Sequence, residues 1–177
     1  MPKSSVKQIV RDEKKIINEL IKNANKSIND IAKKCKFSRQ KVWRMINRLE
    51  NNHTIWGYVA VLDKEKLNKR DYILLVKRTN KPFPKELIKK IIDRNLSKEA
   101  KKIGVDISNS FYTNGAYDWL ICLQANEIRE AKTFIEIFNK LFEEFISDTI
   151  LIENMFSAVR SGITNPEIKR LSDFFKI

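Results

Sequence analysis

Apolar residues recur at helical spacing in the first third of the chain, and the rhythm changes after residue 71. Ile16, Ile17, Leu20 and Ile21 fall on one side of a helix expected over residues 11–23. Ser27 and Asp30 then give a Ser-x-x-Asp start signal, a weaker relative of the capping box, for a second helix lined by Ile28, Ile31, Ala32 and Cys35. A short break at Lys36-Phe37 leads to Ser38, a second candidate N-cap, and to a third helix over residues 39–51. Val42, Met45, Ile46 and Leu49 form the apolar stripe of that helix. At about 100° per residue, Gln40, Arg44 and Asn47 face the other way, with Lys41 and Arg48 beside them. The β-rich run Ile55-Trp56-Gly57-Tyr58-Val59-Ala60-Val61-Leu62 is expected to be a strand or wing.

Beyond a charged linker at residues 63–71, the pattern predicts strands at Tyr72–Val76, Ile107–Thr113, Trp119–Leu123 and Ile150–Val159. Helices are expected at Pro84–Leu96 and Glu127–Phe145, and a short extra one at Ser97–Ile103 stopped by Gly104. The order β-α-β-β-α-β is the ferredoxin-like arrangement. The reading is therefore an α+β chain with four parts: an N-terminal helix-turn-helix domain at residues 1–62, the linker at 63–71, a ferredoxin-like domain at 72–163 and a tail at 164–177. In the tail, Asn165-Pro166-Glu167 marks a helix start, with Ile168, Leu171, Phe174 and Phe175 able to pack on one side. The runs Tyr72–Val76 and Trp119–Leu123 are apolar without alternation, which implies that both faces of the sheet are covered. Two main helices cover one face. A second copy of the sheet is the economical cover for the other, giving a symmetric dimer; the N-terminal domain or the tail are the alternatives.

Charge sharpens the first domain. The net charge is +13, which favours a polyanionic partner, and residues 1–62 carry 14 Lys/Arg against 5 Asp/Glu, so most of the excess sits in the shorter part. From Lys33 to Arg48 there are seven Lys/Arg and no acidic residue. A solvated amphipathic helix is the plainer alternative, but such helices usually mix charge signs. A surface free of carboxylates suits phosphate. Gln40 and Asn47 are suited to pair with adenine, Arg39 and Arg44 to pair with guanine or clamp phosphate, and Lys33, Lys34 and Lys36 to position the duplex. The expected contacts with double-stranded DNA are Ser27, Lys33, Ser38, Arg39, Gln40, Lys41, Arg44, Asn47 and Arg48. Trp43, to one side of this face, is expected to pack on a neighbouring element.

The stretches Asp12-Glu13-Lys14-Lys15-Ile16-Ile17, Ser27–Lys33 and Arg48-Leu49-Glu50 through Ile55-Trp56-Gly57-Tyr58 resemble the DNA-binding domain of the leucine-responsive/AsnC (feast/famine) regulators. Tyr112-Thr113-Asn114-Gly115-Ala116-Tyr117-Asp118 resembles the strand-turn-strand motif of their effector domain, and the likeness spans about residues 11–163. It implies dimers or rings of dimers, palindromic DNA sites, and often an amino-acid effector bound between subunits. Carried onto this chain, it places Gly115, Tyr117 and Asp118 near such a pocket: Gly115 would let the backbone approach a ligand, and Asp118 would accept from an amino group or simply cap the turn. The chain departs from the family pattern in three places. Ala116 stands where an acidic residue is frequent, the stretch 97–106 is longer than usual, and a basic tail follows Gly162.

Catalytic chemistry finds little support. The one histidine, His53, is expected in a solvated turn; there is no Cys/His metal spacing and no Gly-rich phosphate loop, and no cofactor is expected. Sirohaem decarboxylases resemble this two-domain plan but rely on histidines in the second domain, and residues 63–177 contain none. An oligomerising sensor without DNA binding is disfavoured by the unmixed basic helix. Cys35 and Cys122 are too few and too far apart for a disulfide framework. No membrane-length apolar run exists, and the start Met1-Pro2-Lys3-Ser4-Ser5 has no apolar leader region, so a cytoplasmic protein is expected.

Overall fold

The computed structural model describes residues 5–175; residues 1–4, on which the expectation of no leader rests, and residues 176–177 of the tail lie outside them. The chain divides into two compact units, residues 1–61 and 62–177.

The first unit is three helices, α1 (Val6–Lys22), α2 (Ile28–Cys35) and α3 (Arg39–Asn51). The α1 helix begins earlier than its apolar spacing suggests, because Ser5 accepts from the Gln8 backbone N–H and caps it at Val6. Ile16, Ile31, Ala32, Cys35 and Val42 form the core, with Leu20, Ile28, Met45 and Ile46 packed on it. The helix-turn-helix turn is set by Lys36, whose φ of 57° is left-handed, with the Phe37 N–H returning to the Ala32 carbonyl at 2.9 Å. After α3 the expected strand at residues 55–62 does not form. The segment makes no ladder, and Trp56 is 95% exposed. The residue types suit a strand, but no described segment of this unit runs alongside to supply hydrogen-bond partners.

The second unit is a four-stranded antiparallel sheet in the order β2-β3-β1-β4, formed by β1 (Arg70–Arg78), β2 (Asp106–Tyr112), β3 (Trp119–Ala125) and β4 (Ile146–Asn154). It carries α4 (Lys85–Ile92), α5 (Asn95–Lys102) and α6 (Ile128–Phe142). This is the expected β-α-β-β-α-β order with the first helix split in two. The break comes at Asp93-Arg94 rather than at Leu96, because Arg94 adopts a left-handed φ of 55°. Gly104, at φ 80°, stops α5 as expected: its own N–H returns to Lys101 and the Val105 N–H to Ala100, the paired bonds of a Schellman close. The last strand of the sheet starts at Ile146, four residues before its expected start. Residues 143–145 turn tightly after α6, and β4 then pairs with β1 from Arg78 onward. The expected last strand ends at Asn154, and a small hairpin follows, β5 (Val159–Arg160) and β6 (Ile163–Thr164), turned by Ser161 and Gly162 at φ 47° and 78°. A 3-10 helix at Ile168–Phe174 follows, where Phe174 packs 5.5 Å from Phe156 and Phe175 stays exposed.

Alternation along the sheet sorts its two faces. Tyr72, Leu74 and Val76 of β1 and Trp119, Ile121, Leu123 and Ala125 of β3 are buried with Phe134, Phe138 and Phe142 of α6. The opposite face carries two apolar rows by register: Phe111-Leu120-Leu75-Ile150, and Cys122-Ile73-Ile152 with Asn109 at the end. Its central residues are half-buried, while Phe111, Ile150 and Ile152 are 50%, 38% and 43% exposed. Arg160 of the hairpin pairs with Asp71 at one end of this face and leaves those three exposed.

Removing one aromatic from the buried side tests the packing. Phe138 stands 4.7 Å from Phe142 and 5.3 Å from Trp119. Phe138→Ala is expected to destabilise the second unit by about 3–5 kcal/mol, seen as a lowered second transition in calorimetry.

Candidate nucleic-acid interface

The α3 helix is fixed from below and from one side. Val42 and Leu49 are buried beneath it, and Ser38 caps its start by accepting from the Lys41 N–H at 3.2 Å. Ser27 does the same for α2, accepting from the Asp30 N–H at 3.1 Å and donating to the Asp30 carboxylate at 2.6 Å. Both serines therefore sit at the helix starts that the sequence implies.

Besides the two capping serines, two more of the nine expected contacts are engaged within the unit. Asp12 of α1 is buried, and the Lys41 ammonium donates to its Oδ2 at 2.5 Å while the Gln8 amide donates to its Oδ1 at 2.8 Å. Lys41 also lies over the Phe37 ring, 4.1 Å from its centroid. Arg48 donates through Nε, at 2.8 Å, and through Nη2 to the Glu13 carboxylate. The side chains left outward on α3 are Arg39, Gln40 and Arg44, which are exposed, with Asn47 half-buried among them. These four and Lys33 make no ion pair among the described residues. Lys34 is drawn 3.7 Å from Glu19, which also binds Lys22 and Lys26. Hydrogen bonds from Lys26 and then Lys22 hold the Glu19 carboxyl down to about 2. Trp43 does not pack on a neighbour as expected: it is 52% exposed, because it lies between the buried stripe and the polar face, where α1 and α2 do not reach.

The sequence offered two signals for the inward pairs that helix periodicity alone misses. Asp12 and Glu13 are adjacent acids on the only long helix facing α3, and Lys41 and Arg48 are the cations flanking its apolar stripe. Which cation meets which acid depends on the crossing of α1 and α3.

The Gly115–Asp118 turn is held by short bonds. Thr113 Oγ1 donates to the Tyr117 carbonyl at 2.6 Å, and Asp118 Oδ2 accepts from the Arg78 N–H at 2.8 Å. Asp118 thus ties the end of the turn to β1. Gly115 stands in open space, with no atom within 4 Å of the position a Cβ would take. His53 is exposed at a left-handed φ of 59°, beside a shallow groove lined by Glu50, Ile55, Trp56, Gly57 and Tyr58. Among the described residues no group of three His, Cys, Asp or Glu is placed to hold a metal ion, and no helix is long and apolar enough to cross a membrane.

Removal of the buried carboxylate tests the anchor. The hydrogen bond from Lys41 outweighs the opposing effect of burial and holds the Asp12 carboxyl below its ordinary value. Its folded-state value is depressed, so its stabilisation is complete above the unfolded value and is lost as pH falls through the folded one. Asp12→Asn is expected to cost about 2 kcal/mol near neutral pH, discounted because the Lys41 side chain is 35% exposed. Melting of the variant followed by circular dichroism is expected to show a smaller loss of stability on acidification than the parent, the remainder coming from Glu19.

Residues 13–55 match the family described as winged helix-turn-helix DNA-binding. No curated protein matches the sequence. Among solved structures, an AsnC family transcriptional regulator from Agrobacterium tumefaciens aligns with a TM-score of 0.62 at 21% identity, over 89% of this chain and 97% of that one. LrpC of B. subtilis aligns with a TM-score of 0.57 at 19% identity, over 89% and 97%. A transcriptional regulator from Neisseria meningitidis, solved as a complex with L-Met, aligns with a TM-score of 0.62 at 15% identity, over 84% and 91%. At these identities the likeness is one of fold. The N-terminal unit matches a winged helix-turn-helix DNA-binding family over residues 13–55, and the chain has the α+β fold of the AsnC-type regulators among these structures.

Proposed function

We propose that this protein, a helix-turn-helix DNA-binding domain joined to a ferredoxin-like domain in the manner of the AsnC-type regulators, is a cytoplasmic, sequence-specific transcriptional regulator that binds DNA as a homodimer. The observation that carries the reading is the outward face of α3, where Arg39, Gln40, Arg44 and Asn47 project from a segment with seven Lys/Arg and no carboxylate. Gln40 and Asn47 have the paired donor and acceptor that adenine presents in the major groove, and Arg39 and Arg44 the fork that matches guanine or phosphate. Lys33, Ser27 and Ser38, at or near helix ends, are suited to the phosphate backbone. Lys41 and Arg48 support the surface by holding α3 on α1, and a base-reading role for them is the weaker assignment.

The dimer rests on the uncovered side of the sheet. Two rows of apolar side chains, centred on Leu75 and Ile73, face outward there, and the same patch on a second copy matches them by two-fold symmetry. Two recognition helices at fixed spacing then read a two-fold-symmetric site. An amino-acid effector at the Gly115–Asp118 turn is part of this reading. The Neisseria regulator was solved with L-Met, and here one carboxylate oxygen of Asp118 holds β1 while the other accepts no hydrogen bond among the described residues. Assembly into rings of dimers is a further step of the same kind. The reading is of a regulator rather than an enzyme: the second unit has no histidine to carry the chemistry of the decarboxylases that share the architecture.

Genome-wide mapping of bound sites, followed by affinity measurement on one mapped site, tests the DNA reading. Arg44→Ala is expected to weaken that site by about 1–3 kcal/mol and to relax preference at one base position; no enriched sites in the map would sink the proposal. For the dimer, Ile152→Arg places a charge on a side chain that is 43% exposed in the lone chain. Light scattering is expected to give twice the chain mass for the parent and the single-chain mass for the variant, with unchanged circular dichroism. A monomeric parent at micromolar concentration would remove the sheet argument.

A further inference from the structure

The charge of the second unit is concentrated in one place. Residues 77–102 hold ten Lys/Arg against three Asp/Glu, while the rest of residues 63–177 holds eleven against fourteen. All of the unit's positive excess therefore lies on the end of β1 and on α4 and α5. These helices are seated firmly: Leu87 and Ile91 anchor α4, and Leu96 and Ala100 anchor α5, in the core beneath the sheet. At about 100° per residue, Lys85 and Lys89 point away from the α4 anchors, and Lys98, Lys101 and Lys102 away from the α5 anchors.

These cations are largely unneutralised. Lys102 pairs with Glu99 at 2.7 Å, whereas Lys85, Lys89, Lys90, Lys98 and Lys101 make no ion pair among the described residues. Glu86 and Asp93 are the other acids on these two helices and their junction. Helix dipoles account for Lys89, Lys90, Lys101 and Lys102, which lie in last turns. They do not account for Lys85, in the first turn of α4 where a cation is disfavoured, nor for Lys98, midway along α5. Five like charges on two short packed helices repel one another, and an extended polyanion spanning them relieves that repulsion at several points at once.

We propose that the α4–α5 face is a second polyanion-binding surface, which holds phosphates of duplex DNA lying beyond the stretch read by α3. The proposal rests on the DNA-binding reading above and extends it to the unit that does not contain the helix-turn-helix. Lysines serve here as point charges that position a backbone without reading bases, and the arginine at the junction, Arg94, is turned toward Ser97 at 3.4 Å. The apolar side chains exposed beside them, Ile88 and Ile92, are two residues on a helix of eight, too small an area to embed in a lipid surface. A long duplex engages both surfaces, and a short one the recognition helices alone.

The test compares the full-length protein with K89Q/K98Q/K101Q and with Arg44→Ala on mixed-sequence duplexes of roughly 20 and roughly 60 base pairs, by fluorescence anisotropy across a salt series. The slope of log affinity against log salt is the readout, because site number changes the intercept and leaves the slope alone. The parent is expected to show a steeper slope on the long duplex. The triple variant is expected to lose about 0.9 of slope per phosphate contact removed, so roughly two to three per protomer, on the long duplex and little on the short one. Arg44→Ala is expected to weaken both. An unchanged triple variant on the long duplex, with Arg44→Ala still weakened, overturns the second surface and leaves the recognition helix standing. A parent that binds neither duplex at low salt overturns both readings together. Loss of binding to phosphatidylserine vesicles in the triple variant, with DNA slopes unchanged, reassigns the face to a membrane and also overturns the proposal.

Discussion

The contact between Asp12 and Lys41 organises the first unit. A buried carboxylate needs a cation and hydrogen bonds, and Asp12 takes both from Lys41 with a further bond from Gln8. Glu13, the next residue, takes Arg48. Lys41 and Arg48 are seven residues apart and lie along one edge of the apolar stripe of α3, so the two bonds tie that edge to α1 and, with the buried stripe, fix the rotation of the helix about its own axis. With the rotation fixed, Arg39, Gln40 and Arg44 face water and Asn47 sits between them. Breaking the Asp12 anchor would free α3 to roll and blur the one surface on which base reading depends.

The second unit obeys a different constraint. A four-stranded sheet has two faces, and three helices cover one. Side chains alternate along each strand, so a sequence with apolar residues at both parities leaves an apolar face bare in the single chain. That face is wide enough to include residues from all four strands, and its central members are already half-buried by their neighbours across the ladder. The same geometry that builds the core therefore builds a surface for a second copy. The helical side is closed by aromatic packing around Trp119 and Phe138, which leaves its outer surface to charge.

Much of this was legible before any coordinates. The helix-turn-helix could be read almost to the residue, because two serine caps and an unbroken apolar stripe are local signals with local causes. The β-α-β-β-α-β order was legible for the same reason. The misses share a cause as well. The segment at residues 55–62 has the composition of a strand but no partner in its own unit, and composition does not supply one. The break between the two expected helices, α4 and α5, comes earlier than expected because one residue, Arg94, is left-handed, and its type gives no warning. The start of β4 at Ile146 was set by pairing with β1 rather than by its own residues.

The sequence by itself determined which positions are apolar, where helices are capped, and that the charge on α3 is of one sign. These follow from short-range chemistry, since caps and periodicity act within a turn or two of chain. Only the tertiary structure decided which of those cations are spent inside. Lys41 and Arg48 look as available as Arg44 along the chain, yet α1 brings Asp12 and Glu13 within hydrogen-bonding reach of the first two, while among the described residues no carboxylate pairs with the third. Charge pairing depends on distance between helices, and no local pattern encodes it.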